Sequence, residues 1–158
     1  MKKAILVLSM LVATSATLLA GNAADWAKYN TMKGATYGSL SETALAKVQL
    51  AEFAKENLGR PDIAGWNYNN AAYEVIKDFK SKTNYDTATA ALFAAPKGKR
   101  AALRADLKLA LKSNEVLLAI ASDYLSRAKA VTKNPDVLAK VASNQAFIDW
   151  ARGFITSK

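Results

Sequence analysis

Arg100, Arg104, Lys108 and Lys112 recur every four residues, and side chains of that type at that spacing do electrostatic rather than covalent chemistry. On a helix each such step rises about 6 Å and drifts about 40°, so the four cations trace one shallow ridge roughly 18 Å long. Lys97 and Lys99 stand just upstream, and Asp106 is the one acid between Thr87 and Asn114. Leu103, Leu107, Ala110 and Leu111 fill the neighbouring face. Cations beside an apolar stripe can dock a helix on anionic lipid, or track phosphates or acidic sugars. The same pattern also describes the solvated back of an ordinary bundle helix.

A second group joins Trp66, Tyr68 and Asn69 with Asn67 and Asn70, downstream of Pro61 and Gly65. Punctuated in this way, Arg60 to Asn70 reads as an irregular connection of about ten residues, a length at which loops often carry function. Aromatic faces beside amide donors suit sugar rings, peptides or another partner surface. They equally suit an aromatic plug that closes one end of a bundle. Trp26, Tyr29 and Tyr37 add rings nearer the N-terminus, while Phe147, Trp150 and Phe154 have the spacing of core residues.

The chain has neither histidine nor cysteine. That excludes Ser/His/Asp and Cys/His nucleophile systems, an ordinary structural zinc site and covalent c-type haem attachment. A four-helix cytochrome would need Cys-x-x-Cys-His where this chain has Asp149, Trp150, Ala151, Arg152 and Gly153. Carboxylate chemistry is what remains, and its glutamates are Glu42, Glu52, Glu56, Glu74 and Glu115. Each lies in a helical pattern beside Lys or Ser, where a solvated face or a cap accounts for it.

The elements that must position these groups are helical. Ala, Leu and Lys dominate, β-branched clusters are few, and no stretch alternates as a strand would. The pattern predicts a short helix from Asp25 to Lys33, a loop from Gly34 to Ser39, and a long helix from Leu40 to Leu58 opened by a Ser39/Glu42 capping box. Further helices are expected from Asn69 or Asn70 to Lys82 and from Asp86 or Thr87 to Ala95. The stretch from Lys99 to Val131 should break near Lys112 to Asn114, where Ser113 offers a new cap. Asn134 before Pro135 marks another start, with a short helix to about Ala142 and a final one from Ser143, whose Ser143-Asn144-Gln145 echoes Ser113-Asn114-Glu115.

Ahead of these elements, Lys2 and Lys3, an apolar run from Ala4 to Ala20, and small residues at Gly21 and Ala23 read as a bacterial secretory signal peptide cut after Ala23. A retained membrane anchor is the competing reading, although the run is short for a span. A lipidated lipoprotein start is excluded, because Asn22 stands where the cysteine would be. Cleavage would lower the formal charge from +9 to +7, since only Lys2 and Lys3 are lost among charged residues. The remaining residues, about 135, suffice for one domain with its own core, held without disulfides.

The expected architecture is therefore all-α: a signal peptide over residues 1–23, then a single domain over 24–158 forming a compact bundle of six or seven short helices. Function is expected to be non-enzymatic and exported, periplasmic or secreted. Arg100, Arg104, Lys108 and Lys112, with Trp66, Tyr68 and Asn69, are the candidate binding residues for an envelope protein or an anionic surface such as lipid head groups or acidic glycan. The alternative is a carrier for a small apolar or aromatic ligand held between helices. No cofactor or metal is expected, nor nucleic acid, because export removes that partner and no binding motif accompanies the ridge.

Overall fold

The computed structural model describes residues 21–157, and these form seven helices with no strand among them. Most of the expected signal segment lies outside the described residues. Its last residues do not: Asn22 caps the first helix through a reciprocal box with Asp25, and Ala23 is that helix's first residue. A cut after Ala23 would fall in the first turn of the helix and remove its cap.

In chain order the helices are α1 (Ala23–Lys33), α2 (Leu40–Glu56), α3 (Pro61–Lys82), α4 (Tyr85–Ala94), α5 (Lys97–Ser113), α6 (Glu115–Val131) and α7 (Pro135–Thr156). The expected box opens α2, where Glu42 N donates to Ser39 Oγ at 3.1 Å and Ser39 N donates to Glu42 Oε2 at 3.0 Å. Asn134 Oδ1 likewise accepts from the Asp136 and Val137 amides, with Pro135 at the first position of α7. The expected break before Glu115 is present, but Ser113 does not cap it. Its hydroxyl bonds back to the Leu109 carbonyl at 2.9 Å, and Asn114 bonds to that of Ala110 at 3.0 Å.

Two further expectations are corrected. Arg60 to Asn70 is not a loop: α3 begins at Pro61 and runs unbroken to Lys82. Proline suits the first helical position, and Arg60 forks onto Asp62 through bonds of 2.9 and 2.6 Å to hold the entry. Nor does a new helix start at Ser143, because α7 is continuous across it. The Asn144 amide is not a cap; it donates to Asn69 Oδ1 on α3 at 3.0 Å.

Burial explains both outcomes. α3 lies between α2 and α6 and also meets α7, so its buried side chains include Ala64, Tyr68, Ala72, Val75, Ile76 and Phe79. The facing helices present small residues, Ala44, Ala51 and Ala54 on α2 and Ala121 and Ala128 on α6, which let the backbones come close. Gly65 sits at the tightest point. A Cβ there would lie 2.6 Å from Thr132 Cβ, so glycine's weak helix propensity is outweighed by the approach it permits. One hydrophobic cluster continues through Leu118 and Leu125 of α6, Val141 and Ile148 of α7, and Leu107 and Leu111 of α5. Rings seal its α4 end, with Tyr85 edge-on to Phe147 at 5.4 Å and Phe147 edge-on to Phe79 at 6.1 Å. The echoing Asp25-Trp26 and Asp149-Trp150 segments do not pair in these ring contacts: Trp26 meets Tyr29, whereas Trp150 meets Tyr85, Phe147 and Phe154.

Two glycines in helices should therefore respond oppositely to alanine. Gly65→Ala is expected to destabilise the fold by about 1–3 kcal/mol through overpacking against Thr132. Gly153→Ala, whose Cβ would meet nothing within 4 Å, should stabilise it by about 0.5–1 kcal/mol. Denaturant unfolding of the two variants beside the parent chain reads both signs.

Candidate functional site

α5 carries the ridge as expected, and each of its cations already has a partner within the chain. Arg100 reaches back across the α4–α5 turn, donating from Nε to the Ala95 carbonyl at 2.8 Å and from Nη2 to that of Phe93 at 3.5 Å. Arg104 donates to Ser157 Oγ at 3.3 Å and lies over the Phe154 ring at 5.2 Å. The Lys108 ammonium donates to the Ser157 carbonyl. Lys112 pairs with Glu115 at 2.7 Å across the helix break.

Three of these four contacts are to the C-terminal ends of other helices. α4 ends at Ala94 and α7 at Thr156, and cations are favoured there because the last carbonyls carry partial negative charge. A carbonyl satisfies a donor without cancelling its charge. Arg100, Arg104 and Lys108 therefore hold helix ends in place and meet no carboxylate among the described residues, Arg104 through a hydroxyl and the other two through carbonyls, whereas Lys112 is neutralised by Glu115.

Beside the cation row runs a second i, i+4 row: Lys97, Ala101, Ala105 and Leu109. Its alanines leave space, and three adjoining surface clefts share their walls along it. The first, about 280 Å³, is lined by Leu92, Phe93, Arg100, Ala101 and Arg104. Ala101 and Arg104 continue into a second of about 240 Å³ with Ala105, Lys108 and Ser157. Ala105 and Lys108 continue into a third of about 410 Å³, completed by Leu109, Lys112, Ile155 and Thr156. Together they make one open trough along α5, floored by alanine, rimmed by cations and walled at its far end by the last turn of α7.

No family model, curated protein or solved structure matches this chain. The trough and the other polar clusters are accordingly interpreted from their own geometry.

Trp66, Tyr68 and Asn69 are not part of it. All three lie on α3, where Tyr68 is 2% and Asn69 4% exposed and Trp66 is partly buried against the core. α3 packs chiefly on α2 and α6, with smaller contacts to α4 and α7, while α5 packs on α4 and α7, so the two groups of candidates belong to different parts of the bundle. The polar atoms on α3 are used internally. Asn67 donates to Tyr29 Oη at 2.9 Å and to the Ile63 carbonyl at 3.1 Å. Tyr68 donates to Glu52 on α2, which also faces Arg127 of α6 at 3.7 Å, itself bonded to Asp123 at 2.9 Å. This network ties three helices together through one carboxylate.

Sequence reasoning passed over Phe93, Ala101, Ala105 and Leu109. The Lys97-Ala101-Ala105-Leu109 spacing was a usable sign of a floor beside the ridge. The wall from Ile155 to Ser157 carried no such sign, since it comes from the far end of the chain. Among the described residues no group of three or more Asp or Glu side chains is placed to hold a metal ion. Nor is any helix among them long and apolar enough to cross a membrane.

Burial and the bond to Glu52 push the Tyr68 phenol up from 10.0 to about 12. Below pH 10.0 it is neutral in both the folded and unfolded chain, and its contribution to stability is constant. Above that the unfolded phenol ionises first, so stability falls until about pH 12, where the folded phenol ionises too. Tyr68→Phe should remove this part of the alkaline loss while costing roughly 1 kcal/mol at neutral pH through the lost bond to Glu52. Denaturant unfolding across the alkaline range tests both effects.

Proposed function

We propose that this chain is a binding protein without chemistry of its own, exported to the bacterial envelope, and that it docks on an anionic partner through the trough of α5. The observation that supports this most is the continuity of the three clefts along a row of cations, of which Arg100, Arg104 and Lys108 are held by carbonyl or hydroxyl oxygens rather than by carboxylates. An anion entering the trough meets side chains already ordered against helix ends, so less freedom is lost on binding. Trp66 could contribute only its partly exposed edge, and Tyr68 and Asn69 act in this reading by holding the bundle rather than by touching the partner.

The non-enzymatic reading is supported by the residue inventory and by what the carboxylates already do. Glu42 closes a cap, Glu52 accepts from Tyr68, Glu74 pairs with Lys77 at 2.8 Å, and Glu115 pairs with Lys112. A carrier would need an enclosed space between helices, where Tyr68, Phe79, Leu118, Leu125 and Ile148 are instead packed with almost no exposure, and the cleft of about 530 Å³ between α2, α3 and α4 is an open one with Lys77, Lys80 and Asp86 in its walls. The surface reading is therefore the better supported of the two.

Because Arg104 and Lys108 also hold the end of α7, the clean variant reverses charges that do no such work. Lys97→Glu with Lys99→Glu reverses the charge of the first turn of α5, next to the trough, where acids favour the helix. Retention on an immobilised polyanion should fall steeply with added salt, and this pair should elute at clearly lower salt than the parent. Lys129→Glu with Lys140→Glu makes the same change in net charge on exposed sites of α6 and α7. Equal loss in both pairs would reduce the effect to net charge and overturn the trough as the site.

A further inference from the structure

The trough is apolar as well as cationic, and the combination narrows the partner. Phe93, 79% exposed, and Leu109, 68% exposed, are the two most exposed large apolar side chains among the described residues. Both line the trough, Phe93 at its α4 end and Leu109 at its α7 end. Single exposed apolar residues are ordinary on a protein surface; the two most exposed of the described residues on one cationic strip are a pattern. Between Thr87 and Ala105 the chain holds Lys97, Lys99, Arg100 and Arg104 and no acid. The hairpin of α4 and α5 is also lightly embedded, since within their spans the two helices bury only Leu107 and Leu111.

We propose that this strip is an interfacial membrane anchor: α5 lies along the surface of an anionic bilayer, Phe93 and Leu109 reach below the head groups, and Lys97, Arg100 and Arg104 meet the lipid phosphates. The proposal rests on the anionic-partner reading and specifies lipid as the partner. A soluble polyanion would satisfy the charges and leave both apolar side chains in water. A second copy of the chain would bring two like-charged strips face to face. A bilayer interface takes both parts at once, as amphipathic helices with lysine and arginine flanking an apolar face do. α5 is about 25 Å long, enough to lie along such a surface, and its alanine floor lets the backbone sit close to it.

The absence of cysteine makes the test direct, because a single introduced thiol labels one site. Phe93→Cys, Leu109→Cys and, as a control on α2, the exposed Leu45→Cys would each carry an environment-sensitive fluorophore. With vesicles of equimolar phosphatidylglycerol and phosphatidylcholine, the labels at 93 and 109 should shift to the blue and become shielded from an aqueous quencher, while the label at 45 stays in water. Vesicles of phosphatidylcholine alone should give no shift. Phe93→Ser with Leu109→Ser should weaken binding to the anionic vesicles by about tenfold or more. The same pair should lower retention on the immobilised polyanion far less than it lowers vesicle binding, since no charge is altered. Labels at 93 and 109 that remain in water on the anionic vesicles, or equal shielding at 45, would overturn the anchor. Salt-sensitive retention on the polyanion without vesicle binding would overturn it while leaving the broader anionic-partner reading in place. Loss of both would remove the two together.

Discussion

The close approach of α3 to its neighbours is the constraint from which the rest of the arrangement follows. A helix enclosed by α2, α6 and α7 can come close to them only where the facing positions are small, and alanine supplies that on α2, α3 and α6. At Gly65 even a methyl group is too much, because Thr132 occupies its space. Enclosure has a second consequence. Any polar side chain on α3 must find a partner inside the protein, since an unpaired buried donor or acceptor costs about 1–3 kcal/mol. Asn67, Tyr68 and Asn69 each do, and their partners lie on α1, α2 and α7. The helix that packing places in the middle is thus also the one that fixes the position of the others.

That requirement extends to the trough. Asn144 meets Asn69 near the middle of α7, and the same helix then carries Ile148, Ala151 and Ile155 into the core. The end of α7 is thereby delivered to α5, where Arg104 and Lys108 hold Ser157. The wall of the trough is set by a contact on α3, some distance from any of the cations that rim it.

Signals confined to a few neighbouring residues were legible in the sequence. The Ser39/Glu42 box, the Asn134-Pro135 start, the break before Glu115 and the cation row on α5 all depend on local backbone chemistry or on helical spacing. The start of α3 was not legible, because Gly65 and the Asn67-Tyr68-Asn69-Asn70 run carry the local marks of a loop. Burial on several sides reversed that preference, and a propensity of at most about 1 kcal/mol per residue is readily reversed by packing. Continuity of α7 through Ser143 was hidden for a related reason. Asn144 has the makings of a cap, and only a partner 75 residues away shows that its amide is used elsewhere. The ridge could be read as a line of charge, but the cleft beside it needed the third dimension.

Satisfying a cation and neutralising it are different acts, and α5 separates them. Lys112 meets a carboxylate, so the α6 end of the row contributes little net field. Arg100, Arg104 and Lys108 meet the Phe93, Ala95 and Ser157 backbone or a hydroxyl, and their full charge remains. Lys97 and Lys99 add to them at the start of the helix. The potential along the trough is therefore graded, strongest where Phe93 stands and weakest near Leu109. An anionic surface would be drawn first to the Phe93 end, and contact there would bring the rest of α5 down along its apolar row. Exposed apolar area thus stands at both ends of the trough, on α4 at Phe93 and on α5 at Leu109, while the charge is concentrated toward the Phe93 end.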